Sequence, residues 1–263
     1  MLKYSQMKNQ QLKNKFILFF SQENIELAKA EFTALYPKLE IIEDNEENII
    51  VFGEINKPER LALTKKILDA NTNKIVYENP GSWENRASGQ PISLSPKLAR
   101  AMVNLTGTES SVITDPFCGS GGILLEAGLL GHKVIGYDID KAILKTAKER
   151  LDSFKIKTKL ECKDASSIDS SIEYCVTDLP YGKNTSVESL ITTYTNFLKN
   201  LNFVLKQKAV IGFPHFVSGE VLSNLAGFLV LGKYHWKLHR SLTKEILVLA
   251  PKKSPISALK SKE

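Results

Sequence analysis

Two stretches hold residues whose types and spacing could do chemistry. The first is Asp115-Pro116-Phe117-Cys118-Gly119-Ser120-Gly121-Gly122, a carboxylate followed at once by a glycine cluster. Short, β-branched residues 111–114 precede it and the apolar run 123–130 follows, so it reads as a strand turning into a helix. Glycine lets a backbone approach a ligand closely, and a helix N-terminus offers free N–H groups. Only Gly119-x-Gly121 matches the dinucleotide fingerprint G-x-G-x-x-G, so a phosphate cradle is weakly supported. A tight strand-to-helix turn with no ligand is the bland alternative. The second stretch is Asp178-Leu179-Pro180-Tyr181. A planar exocyclic amine is a poor nucleophile because its lone pair is delocalised into the ring. A carboxylate and a backbone carbonyl that both accept from its N–H2 hold it in place and favour pyramidalisation as a methyl group arrives. Pro180 removes a donor and stiffens the loop. Tyr181 offers a ring for an unstacked base, worth about 1–3 kcal/mol in comparable contacts. Here the bland alternative is a Pro-containing turn with a buried tyrosine.

The surrounding elements must bring these stretches together. Downstream of residue 93 the chain alternates. Residues 132–137 read as a strand ending at Asp138-Ile139-Asp140, and Asp140 caps a helix to about Leu151. A strand 158–162 ends at Asp164-Ala165, and a strand 173–177 ends at Asp178. A helix 189–205, a strand 208–213, a short helix 220–226 and a closing pair of strands, 228–236 and 245–250, follow. Strands alternating with helices predict an α/β fold, a Rossmann-like doubly wound sheet. In such sheets ligands lie beyond the carboxyl ends of the strands, where Asp115, Asp138, Asp164 and Asp178 all fall. Asp138 is spaced to accept from ribose hydroxyls, Asp164 from an adenine amino group, and Asp115 from a ligand ammonium. Together they suit S-adenosyl-L-methionine better than NAD, because no phosphate has to be cradled. Each acid alone is equally a helix cap or loop solvator.

The N-terminal 80 residues read differently. A strand 15–20, a helix capped at Ser21 over 24–36, strands 39–42 and 48–52, a second helix opened by Lys57-Pro58 with Leu61, Leu63, Ile67 and Leu68 on its apolar side, and a strand 74–77 give the order βαββαβ. That order predicts a small α+β ferredoxin-like domain over 1–80. Turn-forming residues mark a linker at 81–92, a catalytic domain spans 93–251, and the Lys/Ser/Pro-rich tail 252–263 reads as disordered. A helix is expected over 97–105, with Ser95 as its cap and Pro96 at its first position. Of 263 residues, 43% are hydrophobic and 24% charged, an ordinary globular balance. The net charge of +6 fits a polyanion partner as well as a solvated face. Cys118, Cys162 and Cys175 are far apart and form no C-x-x-C, which supports neither a disulfide framework nor a zinc site. No metal is therefore expected. No apolar run approaches a membrane span and no secretory signal is visible, so the expected place is the cytoplasm.

Asp115-Pro-Phe-Cys-Gly-Ser-Gly-Gly122 together with Asp178-Leu-Pro-Tyr-Gly182 resembles the amino-methyltransferases with a D/N-P-P-Y motif, and is closest to the archaeal tRNA guanosine-10 N2-methyltransferase family. Residues 91–105, 134–140 and His239-Arg240-Ser241-Leu242-Thr243 resemble further stretches of that family. The resemblance implies S-adenosyl-L-methionine as cofactor, with Asp115, Gly119, Gly121, Asp138 and Asp164 binding it and Pro91, Phe117, Ser120, Ile139, Ala165 and Asp178 counted in the same site. It implies that Asp178, Leu179, Pro180 and Tyr181 hold the guanine amine of a tRNA, with Lys183, His239 and Arg240 as candidate RNA contacts. Leu179 replaces the family's usual first proline. The family usually carries an RNA-binding THUMP domain after the ferredoxin-like unit; here residues 15–78 account only for the latter, so RNA binding would lean on the basic surface and on a small activator or RNA-binding partner protein. N6-adenine methylation of RNA or DNA, and a non-catalytic cofactor- or RNA-binding subunit, are the competing readings.

Overall fold

The computed structural model describes residues 15–81, 94–181, 186–239 and 242–252. Most of the expected linker 81–92, the tail beyond residue 252, and Pro91, Lys183 and Arg240 lie outside the described residues, and of His239 only the backbone is described.

The N-terminal unit is a five-stranded antiparallel sheet, ordered β2-β3-β1-β4-β5 and built from β1 (Lys15–Phe20), β2 (Glu40–Asp44), β3 (Asn48–Phe52), β4 (Thr64–Asp69) and β5 (Ile75–Glu78). One helix, α1 (Ile25–Leu35), packs on it. Asn24 caps α1, its side-chain oxygen accepting from the Leu27 N–H at 2.8 Å, so the cap is not Ser21. The expected second helix is absent from this unit as described. Lys57 sits at φ 54, in the left-handed region, Pro58–Arg60 make a single 3-10 turn, and Thr64–Asp69 form a strand against β1. The antiparallel order β4-β1-β3-β2 keeps the ferredoxin-like strand arrangement, but the expected βαββαβ is corrected in one respect: a 3-10 turn stands in place of the second helix and β5 extends the edge.

The second unit follows the expected alternation. It comprises α2 (Pro96–Asn104), β6 (Val112–Asp115), α3 (Gly122–Leu129), β7 (Lys133–Asp138), α4 (Lys141–Ser153), β8 (Thr158–Cys162), β9 (Ile172–Asp178), α5 (Val187–Val204), β10 (Leu205–Pro214), α6 (Ser218–Ser223), β11 (Phe228–His239) and β12 (Leu242–Pro251). The seven strands are ordered β11-β12-β10-β9-β6-β7-β8. From β8 to β10 the neighbours run parallel, and β12 and β11 close the edge as an antiparallel hairpin. Ser95 caps α2 and Asp140 caps α4, as their types require. The strand order reverses between β6 and β9, and Asp138, Asp115 and Asp178 end the three strands on either side of that reversal, a place where ligands bind in open α/β sheets.

Apolar side chains cover both faces of this sheet. One cluster joins Ile113, Val176, Val210 and Ile246 to α2 and continues without a break into Leu18, Phe32 and Leu61 of the N-terminal unit. The other packs α5 (Tyr194, Phe197, Leu201) against Cys175, Ile211 and Leu247.

Candidate active site at the sheet reversal

Between β6 and α3 the chain must turn sharply, and Gly119 (φ 49) and Gly121 (φ 80) supply left-handed residues that a side chain would strain. At Gly121 a Cβ would only reach van der Waals contact with Ala147 of α4 at 3.4 Å, so the backbone angle is the constraint there. The Gly119 N–H donates to Asp138 Oδ2 at 2.9 Å, and the Asp140 N–H donates to Asp138 Oδ1 at 2.9 Å. Asp138 thus ties the glycine loop to the end of β7. Asp164 lies one strand further out and caps a 3-10 turn, accepting from the Ser166 N–H at 2.7 Å. Ile139 is 72% exposed beside it, and Ala165 is buried.

Asp115 is fully buried. Its Oδ1 accepts from Thr177 Oγ1 at 2.6 Å and from the Phe117 N–H at 3.1 Å. Burial pushes its carboxyl up to about 7; the Thr177 and Phe117 hydrogen bonds pull against that rise, and the Asp178 and Asp138 carboxylates add to it. Phe117 itself turns inward, edge-on to Phe197 with ring centres 5.0 Å apart.

At the end of β9, Asp178 is ion-paired with Lys244 of β12, and both side chains are nearly inaccessible. Burial raises the Asp178 carboxyl above its ordinary value, and the Lys244 ammonium opposes that rise. The Lys244 ammonium also lies 4.6 Å from the centre of the Tyr181 ring, a cation–π contact. Leu179 is buried and its N–H donates to the Gly212 carbonyl at 2.8 Å. Pro180 offers its carbonyl to Tyr194 Oη at 2.6 Å. The Asp-Leu-Pro-Tyr turn is thus fixed at every residue: by β12, by β10, by α5 and by the lysine under the ring.

The structure therefore brings Asp115, Asp138, Asp178 and the glycine loop together, with Asp164 at the neighbouring strand end. Sequence reading missed Lys244, Tyr194, Thr177 and Gly212. No local signal marks Lys244, which stands as an ordinary charged residue ahead of the apolar run 246–250.

Asp115, Asp138 and Asp178 cluster at the strand ends, and only Asp178 is ion-paired there, with Lys244. That donor set fits a ligand that carries a cationic amine and ribose hydroxyls.

The fold is that of Rossmann-like methyltransferases. The crystal structure of TrmN from Thermus thermophilus matches with a TM-score of 0.60 at 16% identity, over 90% of this chain and 99% of that one. The chain belongs to the family described as RMKL-like, methyltransferase domain, whose family model matches residues 84–220, and groups there with the archaeal tRNA (guanine(10)-N2)-dimethyltransferases. The one from Methanothermobacter thermautotrophicus is 36% identical over 200 residues, 73% of this chain and 58% of that protein. A probable one from Methanothermococcus thermolithotrophicus is 34% identical over 164 residues, 58% of this chain and 96% of that protein. Against the first curated relatives it matches, the chain spans about half their length, from 58% down to 46%. A model described as a DNA methylase also matches residues 3–149. Among the described residues no helix is long and apolar enough to cross a membrane.

Proposed function

We propose that this chain transfers a methyl group from S-adenosyl-L-methionine to the exocyclic N2 amine of a guanosine in tRNA, at position 10 by analogy with its archaeal relatives. The observation that carries the reading is the Asp178-Leu179-Pro180-Tyr181 turn, held rigid at the sheet reversal next to the glycine loop and the Asp115/Asp138 pair.

The cofactor's residues in this reading are Asp138 for the ribose hydroxyls, Asp115 for the ammonium, and Asp164 with Ile139 and Ala165 for the adenine. Gly119, Ser120 and Gly121 form the floor beside it. When bound, the cofactor supplies a methyl group on a sulfonium, whose positive charge is lost on transfer. Asp178 accepts a hydrogen bond from the guanine amine and turns its lone pair toward the incoming carbon. The carbonyl of Leu179 or Pro180 is the second acceptor, and in the described structure the Pro180 carbonyl already faces Tyr194. After the C–N bond forms, the alkylated nitrogen loses its proton toward the Asp178 carboxylate. Lys244 opposes the burial that raises the Asp178 carboxyl, and Tyr181 stacks the flipped base.

The test is transfer of labelled methyl from S-adenosyl-L-methionine to unmodified tRNA transcripts, followed by nucleoside analysis. N2-methylated guanosine is the expected product. The DNA methylase match favours one competing reading, adenine N6 methylation, and N6-methyladenosine in the same assay would establish it in place of the first. Cofactor binding without transfer to any nucleic acid would support a non-catalytic subunit. The chain's own RNA contacts beyond the site, Lys183, His239 and Arg240, and a small partner protein remain part of the proposal.

A further inference from the structure

On the face of the sheet opposite Lys244, strand register gathers a second constellation. Glu245 of β12 pairs directly with Phe213 of β10 and with His235 of β11. His215 follows β10 in a 3-10 turn. Neighbouring strands thus place two imidazoles and one carboxylate side by side, because directly opposed Cβ atoms lie about 5 Å apart. His215 Nδ1 is 2.9 Å from Glu245 Oε2, and His235 Nε2 is 3.6 Å from the same oxygen. All three donor atoms lie within 4.8 Å of one another. The two rings meet edge to face, their centres 5.2 Å apart.

We propose that His215, His235 and Glu245 bind a borderline divalent cation of the zinc class. Zinc bonds nitrogen and oxygen at about 2.0–2.2 Å, so ligand atoms of a tetrahedral site lie roughly 3.3 Å apart. The observed 2.9 and 3.6 Å bracket that spacing. The two carboxylate oxygens have separate duties. Oε2 faces both imidazoles, while Oε1 accepts from Ser218 Oγ at 3.0 Å and pairs with Lys233 at 2.9 Å. A ligating carboxylate is commonly held in this way by hydrogen bonds to its other oxygen. Glu245 is fully buried and fixed, whereas His215 and His235 are 56% and 51% exposed, which leaves a fourth position to water. Among the described residues this is the one group of three or more His, Cys, Asp and Glu side chains with that spacing. The cation would brace the turn after β10, whose Gly212 abuts Asp178, against the edge hairpin. Lys233 competes electrostatically, so moderate affinity is expected rather than the tightness of a closed cysteine site. No Cys/His sequence motif marks these residues, since they come from two strands and the turn after a third.

The site stands independently of methyl transfer, and its readout is metal binding to the full chain. After chelator treatment, calorimetric titration with ZnCl2 should show one equivalent bound. His215→Ala and His235→Ala should each weaken binding at least tenfold with an unchanged circular dichroism spectrum, as expected for half-exposed side chains. Cys162→Ser should leave it unchanged and so remove the exposed thiol as the source. Co2+ in place of Zn2+ should give visible bands of a nitrogen- and oxygen-ligated centre. No stoichiometric binding, or an affinity in both histidine variants equal to that of the unsubstituted chain, would overturn the proposal and leave the cluster as the hydrogen-bonded shell of a buried glutamate.

Discussion

At the scale of single residues, the methyl-transfer reading rests on the charge state of Asp178 and Asp115. Asp178 must be ionised to accept from an amine, yet burial raises its carboxyl and only Lys244 opposes the rise. Asp178→Asn should lower kcat by about 10²–10⁴, the span of a lost general base, while the cofactor Kd moves less than about threefold. An equal loss of both would show that Asp178 belongs to the cofactor instead. Lys244→Met should shift the acid limb of the kcat profile to higher pH, because removing the ammonium leaves the burial of Asp178 uncompensated. A profile that keeps its shape and only drops in height would mean Lys244 merely fills space. Asp115, raised from 3.8 to about 7, gives the second pH signature. A cationic ligand favours its ionised form, so cofactor affinity should fall by about tenfold per pH unit below about 7. The Thr177 hydroxyl and the Phe117 N–H lower the Asp115 carboxyl, whereas the Asp178 and Asp138 carboxylates raise it and so reinforce this trend. Between pH 3.8 and about 7 the native state holds an extra proton relative to the unfolded chain, so the ligand-free protein loses stability as pH rises through that window. Asp115→Asn should therefore flatten the affinity profile and raise the ligand-free melting temperature at pH 8 but not at pH 4.

At the scale of elements, β10 is the support on which the Asp178–Tyr181 turn rests. A Cβ on Gly212 would lie 2.9 Å from Asp178 Oδ1, 3.3 Å from Met102 Cε and 3.4 Å from the Lys244 side chain. Gly212→Ala should therefore displace the carboxylate and cost kcat at least tenfold with cofactor affinity retained, measured by single-turnover kinetics beside equilibrium binding. Undiminished turnover would show that the turn tolerates a shift of its anchor. The strands and helices of this half were legible because each apolar run is short, β-branched and bounded by a strand-ending acid or a capping residue. Ser95 and Asp140 cap as their types dictate, and the four aspartates fall at strand ends. The segment 57–69 was not legible. Leu63 and Ile67, and Leu61 and Leu68, recur at spacings a helix would use, but residues 61–64 are buried together, with the Glu31 carboxylate accepting the Ala62 and Leu63 N–H groups at 2.7 and 2.9 Å. A tertiary acceptor thirty residues upstream decided the conformation, and local periodicity carries no trace of it. Lys244 was hidden for the same reason: a lysine reads as solvated until the fold places Asp178 beside it.

At the scale of the whole molecule, the N-terminal unit shares one core with the Rossmann-like half rather than hanging from it as an appendage. Asn104 of α2 donates to Glu31 at 2.6 Å and to the Arg60 carbonyl at 2.9 Å. Arg60 donates in return to the carbonyls of Thr108 and Glu109 at 3.3 and 3.2 Å. The apolar cluster around Leu27, Phe32 and Leu61 runs directly into Leu98 and Met102. Three N–H donors converge on the two oxygens of Glu31, which is fully buried, and burial raises its carboxyl against the pull of those same bonds. An amide at this position must turn its own NH2 toward one of those donors, leaving a buried donor unmatched at a cost of about 1–3 kcal/mol. Glu31→Gln should therefore lower the midpoint of denaturant unfolding as one transition, with amides of β1 and β4 losing exchange protection together with those of β6 and β9. The measurement is native-state hydrogen exchange read alongside circular dichroism. If β1 and β4 opened alone while β6 and β9 kept full protection, the two units would be separate folding bodies, and the N-terminal sheet would be free to act as a positioning arm for the substrate instead of a wall of the enzyme.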